Sequence, residues 1–158
     1  MRNYTQFYIN GEWVSPSRRK VLDVINPATE KPAGQILLGN KSDVNAAVQA
    51  AKNAFVEWSQ TPKKERIEIV SNMARLYAQR SEEIAKAITE EMGAPEWLAT
   101  EYQAPAGLGH LIIGTTEYSK FPLIEKKGTS RVVKEPIGVC GIITPWNWPM
   151  NQIMLKVI

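Results

Sequence analysis

Histidine and cysteine occur once each in this chain, as His110 and Cys140, and that scarcity removes several chemistries at once. A single cysteine cannot close an internal disulfide or build a thiolate metal cluster. His110 has no Cys, His or acidic residue at ligand spacing and no Ser-Asp context for a triad, which leaves it a structural or surface role. No CxxC pair, Walker loop, Gly-x-Gly-x-x-Gly turn, internal repeat or low-complexity tract is present. No apolar run approaches the length that spans a bilayer, and the opening Met-Arg-Asn-Tyr-Thr-Gln lacks the apolar core of a signal peptide, so a cytoplasmic protein without a membrane partner is expected. An excess of one charge is also missing: 19 Lys+Arg face 16 Asp+Glu, a formal net charge of +3. The basic clusters Arg18-Arg19-Lys20, Lys63-Lys64 and Lys126-Lys127 suit solvated faces or strand ends. The tryptophans fall in strand, helix and loop contexts instead of forming a basic-aromatic platform, which argues against a nucleic-acid partner.

What is present is an ordinary globular composition, 44% hydrophobic over 158 residues, enough for one domain. Gln6 to Val14 reads as a hairpin, because Asn10-Gly11 between two β-prone runs supplies the positive φ that both central positions of a type I′ turn need. Val21 to Ile25 is a second strand ended by Asn26-Pro27, and Gly34 to Leu38 a third, closed by Gly39-Asn40. Helical spacing follows. Ser42 is the expected cap of a first helix with Asp43 in its first turn; Thr61-Pro62 opens a second; Ser81 opens a third that Gly93 ends. A fourth, from Ala94, contains Pro105, Gly107 and Gly109 and is expected to kink or break near the proline. Phe121 to Pro136 alternates around a Lys-Gly turn and predicts an antiparallel pair exposed on one side.

The stretch with the most chemical content is Ile137 to Lys156. Ile137 to Ile143 is apolar or glycine without alternation, which suits a strand buried on both faces of a parallel sheet, with Cys140 as a small hydrophobe inside it and not as a reactive thiolate. Pro145 and Pro149 then restrain the backbone around Asn147 from both sides. Beyond Pro149, Met150, Ile153, Met154 and Val157 fall at helical spacing. The ground between a strand's carboxyl end and the next helix is where open α/β sheets bind ligands. The side chain of Asn147 offers two N–H donors that do not titrate, as an oxyanion site requires; alternatively it serves only to satisfy the free N–H groups of the helix.

The phrase Ile-Ile-Thr-Pro-Trp-Asn-Trp-Pro, preceded by Val-Val-Lys-Glu-Pro-Ile-Gly-Val and followed by Lys156, closely resembles the aldehyde dehydrogenase superfamily, and Val-Ile-Asn-Pro-Ala-Thr-Glu resembles the same family's N-termini. The resemblance covers essentially the whole chain but only about the first third of a typical member. It implies an α/β fold: N-terminal hairpin and strands with a helical layer (residues 1–118), an oligomerisation β-ribbon (119–136), and the first strand, loop and helix start of a Rossmann-like NAD-binding core (137–158). It implies that Asn147 helps form the oxyanion hole for a cysteine thiohemiacetal, that Lys156 belongs to a proton relay in some members, and that Ile143, Thr144, Pro145, Trp146 and Asn147 line the nicotinamide cofactor, NAD or NADP. Glu90 and Glu91, as helix neighbours, point apart and read as solvated charges. The resemblance adds a second reading, in which Glu91 and the carbonyls of Val24 and Ile25 match a monovalent-cation site of some relatives.

The implied reaction is oxidation of a small-molecule aldehyde to a carboxylic acid in a dimer or tetramer. The family's nucleophilic cysteine, general-base glutamate and most of its cofactor site do not occur in these residues, and oxyanion stabilisation without a nucleophile makes no product. The chain alone is therefore expected to be inactive. A second reading makes it a non-catalytic assembly module that associates through the edge of the 121–136 ribbon and an unmatched apolar stripe on the last helix.

Overall fold

The structure is a computed structural model that describes residues 2–158. Its N-terminal part is built from short strands: β1 (Arg2–Tyr4), β2 (Phe7–Ile9), β3 (Glu12–Val14), β4 (Val21–Asn26) and β5 (Lys31–Leu37). β2 and β3 form the expected hairpin, with Asn10 at φ 55° and Gly11 at φ 81° in the turn. The remaining three make a sheet of order β1-β5-β4, in which β4 and β5 run antiparallel and β1 lies parallel to β5. β1 carries no strand signal of its own; the partner supplies it. Between Val24 and Ile25 the register of the β4–β5 pair shifts, because Ala33 of β5 is an extra residue: Val24 pairs with Gly34 and Ile25 with Pro32.

The helical layer comprises α1 (Lys41–Trp58), α2 (Lys63–Gln79), α3 (Ser81–Met92), α4 (Glu96–Leu98), a π-helical turn (Ala99–Gln103) and α5 (Ala104–Lys120). The cap of α1 is Asn40, not the expected Ser42. Asn40 Oδ1 accepts from the N–H of Ser42 at 2.7 Å and of Asp43 at 3.4 Å, while Asp43 Oδ2 accepts from the Asn40 N–H at 2.9 Å. This reciprocal box satisfies donors that the helix start leaves open, and Asn40 escaped notice because it also ends the turn after β5. Asp43 further accepts from the Ser17 N–H at 2.8 Å. That bond, and then the one from Asn40, hold its carboxyl below the ordinary value.

Gly93 ends α3 as expected, at φ 84°, and a Cβ there would lie 2.4 Å from Pro27 Cγ.

The expected break near Pro105 does not occur; α5 is continuous through Gly107 and Gly109. Pro105 has no N–H to give to the preceding turn, and the irregularity there is the π-helical turn Ala99–Gln103 directly before α5. Gly107 is there for space. A Cβ on it would sit 2.4 Å from Tyr77 Oη and 3.1 Å from Met150 Cβ, so its bareness lets α2 and the C-terminal helix α6 (Pro149–Val157) close on α5. Tyr77 is buried and donates to the Ala104 carbonyl at 2.7 Å. Burial pushes its phenol up to about 12, so the donor persists at any ordinary pH. The core beneath is made of Ala85, Ile88, Ala94, Ala99 and Ala104, with Met150 packed against it.

β6 (Ile124–Lys127) and β7 (Ser130–Val133) form the expected ribbon, with Gly128 at φ 61° in its turn. It is exposed on both faces and not on one: all of β7 is exposed and only Glu125 of β6 is half-buried. Nothing among the described residues covers it.

Two further expectations fail together. Residues 137–143 form no strand, and Ile137 and Ile143 are 94% and 92% exposed; Cys140 is exposed as well. A parallel strand exists by pairing, and among the described residues no strand lies beside this one to pair with it or to bury Cys140. The last helix also departs from the assembly reading. Its apolar stripe is matched only in part: Met150 packs on the core, Ile153 and Met154 are half-buried, and Val157 stays exposed with Leu155 and Ile158.

Two outcomes are expected. Gly107→Ala should cost about 1–3 kcal/mol by overpacking, and Tyr77→Phe about 1 kcal/mol for the lost hydrogen bond. Because both act at one contact, thermal unfolding should find the double variant more stable than the sum predicts. For Asp43 the folded-state value lies below the unfolded one, so its contribution is present above the ordinary value of 3.8 and is lost as pH falls through the folded value. The stability gap between wild type and Asp43→Asn should therefore narrow below about pH 4, and a gap constant with pH would refute the assignment.

Candidate functional site

The candidate site is assembled where the loop 143–148 leaves the unpaired segment and enters α6. Pro145 and Pro149 restrict the backbone on either side, and Pro149 occupies the first turn of α6. The cap position falls to Trp148, whose side chain makes no capping hydrogen bond. Asn147, one residue earlier, is exposed, and among the described residues its side-chain amide has no hydrogen-bond partner. The capping role that sequence allowed for it is not what the structure shows.

The loop is tied to the helical body through its main chain. Gln103, the last residue of the π-helical turn, donates from Nε2 to the carbonyl oxygen of Asn147 at 3.1 Å. One turn into α6, His110 Nε2 and Asn151 Oδ1 lie 2.7 Å apart. Since Oδ1 only accepts, the ring donates, in its Nε2–H form. Two side chains of the 99–120 region thus hold the loop and the first turn of α6. Neither was singled out from sequence as a partner of Asn147. The available signal was a lone glutamine among Ala99, Ala104 and Leu111, a polar group on an otherwise apolar face.

Among the other residues singled out, Lys156 is exposed and turned back along its own helix, its Nζ donating to Gln152 Oε1 at 3.0 Å. No hydrogen bond joins it to Asn147. Ile143, Pro145 and Trp146 are exposed and Thr144 is half-buried, so the loop presents itself openly. Val24, Ile25 and Glu91, drawn from β4 and the end of α3, line one cavity of about 700 Å³ with Trp146, Met150 and Ile153. The structure therefore brings the three cation candidates and Trp146 of the 143–147 loop to the same cavity. Among the described residues no group of three His, Cys, Asp or Glu side chains could hold a metal ion. A site at this cavity would depend on main-chain carbonyls, with Glu91 as its carboxylate. Among the described residues no helix is long and apolar enough to cross a membrane.

Comparison with known proteins gives the family and the fold. Residues 13–158 match the model of the aldehyde dehydrogenase family. A 3-succinoylsemialdehyde-pyridine dehydrogenase of a Pseudomonas species is 52% identical over 158 residues, covering 99% of this chain and 33% of the relative. The crystal structure of an aldehyde dehydrogenase from Bartonella henselae superposes with a TM-score of 0.96 at 42% identity, covering 99% of this chain and 34% of that one. A mutant of aldehyde dehydrogenase C from Pseudomonas syringae, solved in complex with NAD+ and octanal, gives a TM-score of 0.95 at 38% identity over 97% of this chain and 32% of that one. The chain thus spans about a third of the length of the relatives it matches. Its mixed α/β architecture is that of the N-terminal part of those structures, and the chain belongs to the aldehyde dehydrogenase family.

Proposed function

We propose that the protein containing these residues oxidises an aldehyde to a carboxylic acid with NAD or NADP, and that Asn147 donates a hydrogen bond to the oxyanion of the cysteine thiohemiacetal. The observation that carries this reading is the uncommitted amide of Asn147, held on a loop whose backbone is restrained on three sides: by two prolines and by Gln103. A donor fixed before the charge develops need not reorganise when it does, and an amide stays in the same state at every working pH.

The loop fits a dinucleotide. Ile143 and Trp146 are exposed and residues 143–146 pair with no strand, so their backbone groups and apolar side chains remain open to a ligand. The cofactor, when bound, accepts the hydride. NAD+ in the Pseudomonas syringae structure supports the dinucleotide class. In the same reading Lys156 serves a proton relay, and Glu91 with the carbonyls of Val24 and Ile25 holds a monovalent cation. The shared cavity, which Val24, Ile25 and Glu91 line together, supports the cation site.

The remaining parts of the proposal concern organisation. Residues 1–118 and 137–158 belong to the cofactor-binding domain, and 119–136 to a ribbon that joins copies of a cytoplasmic homo-oligomer. The exposed apolar side chains of Ile124, Val132 and Val133 support association through that ribbon.

In the full-length protein, Asn147→Ala should lower kcat by about 10²–10³ while the KM for the nicotinamide cofactor changes little. Wild-type kcat in that variant would remove Asn147 from the chemistry. The 158-residue chain by itself should reduce no cofactor with any simple aldehyde, because the nucleophilic cysteine that the family resemblance implies does not occur in these residues and oxyanion stabilisation without it makes no product. Turnover by the isolated chain would overturn that expectation.

A further inference from the structure

Gln103 is 2% exposed and, among the described residues, is the one polar or charged residue that is buried. Its two ends are treated differently. Nε2 donates to the Asn147 carbonyl, whereas Oε1 is buried with no hydrogen-bond partner among the described residues. A glutamine retained only to satisfy the interior would have both ends paired, since a buried orphan acceptor destabilises the fold. Here the satisfied end is the one aimed at the candidate site. The backbone conformation agrees: Gln103 closes the π-helical turn Ala99–Gln103, whose extra residue rotates the following helix relative to the preceding one. Pro105, two residues on, removes the N–H that an ordinary helical turn would have used.

We propose that Gln103 is a positioning residue for Asn147. Its amide holds the main-chain carbonyl of Asn147 and so fixes the orientation of the peptide between Asn147 and Trp148, from which the oxyanion donor is directed. This inference rests on the reading of Asn147 given above and extends it to a residue that touches neither substrate nor cofactor. The amide orientation follows from chemistry, because only the NH₂ end can face a carbonyl oxygen.

Two substitutions in the full-length protein separate positioning from packing. Gln103→Met keeps length and volume and removes the donor; kcat should fall about tenfold as the oxyanion donor loses its alignment, with the cofactor KM unchanged and the melting temperature nearly so, because the lost hydrogen bond is offset by removal of the orphaned Oε1. Gln103→Glu keeps the shape and makes the donor titratable. Its neutral acid donates to the carbonyl and its carboxylate cannot, so its kcat relative to wild type should approach unity at low pH and fall as pH rises, whereas the ratio for Gln103→Met stays flat. Wild-type kcat in Gln103→Met, or a pH-independent ratio in Gln103→Glu, would overturn the proposal. So would a loss of kcat that follows the melting temperature in both. Hydrogen exchange of the peptide covering residues 144–149 gives a readout that does not depend on turnover. Faster exchange in Gln103→Met than in wild type supports the positioning role, and unchanged exchange refutes it. If the wild-type protein oxidises no aldehyde with either cofactor, the proposed function fails, and the exchange measurement still decides the part played by Gln103.

Discussion

The structure depends on how closely other helices can approach α5. Along one side of the helix and the π-helical turn before it, Ala99 and Ala104 are fully buried and Gly107 has no side chain at all. This strip of small residues lets Tyr77 of α2 reach the Ala104 carbonyl and lets Met150 of α6 settle against the alanine-rich core. Ridges of larger side chains would hold the axes farther apart. The contact therefore sets where α6 begins, and with it where the loop bearing Asn147 emerges.

Positioning of the site then reduces to a few directional bonds laid over that packing. Gln103 reaches the main chain at Asn147 and His110 reaches Asn151 one turn later, both from the segment that carries the small residues. Packing fixes distance to within a side chain's width; hydrogen bonds fix orientation. The loop needs both, because its own residues are exposed and contribute little burial. β4 brings Val24 and Ile25 to the cavity that Glu91 and Trp146 share, so strand, helix and loop meet there.

Local signals were legible wherever a few neighbouring residues decide the outcome. Asn10-Gly11 specified its turn, Gly93 its helix end, and Pro145 and Pro149 the restraint around Asn147, because each acts through its own φ or its own missing group. Readings that needed a distant partner failed in both directions. Arg2–Tyr4 became a strand only because β5 lies beside it, and the apolar stretch 137–143 did not become one because nothing does. Pro105 and Gly107 looked like a break; a π-helical turn ends just before the first, and neighbouring helices required the second.

The sequence by itself determined the family phrase around Asn147, the order of strands, helices and ribbon, and the absence of any cysteine or histidine cluster, since these are matters of residue identity and short spacing. Tertiary structure alone decided that Asn147 does not cap α6, that Gln103 holds its carbonyl, and that Val24, Ile25, Glu91 and Trp146 share one cavity. These residues are separated by tens of positions in the chain. Nothing in the local periodicity encodes such a meeting; it follows from the angle and depth at which helices pack, which small side chains on α5 set.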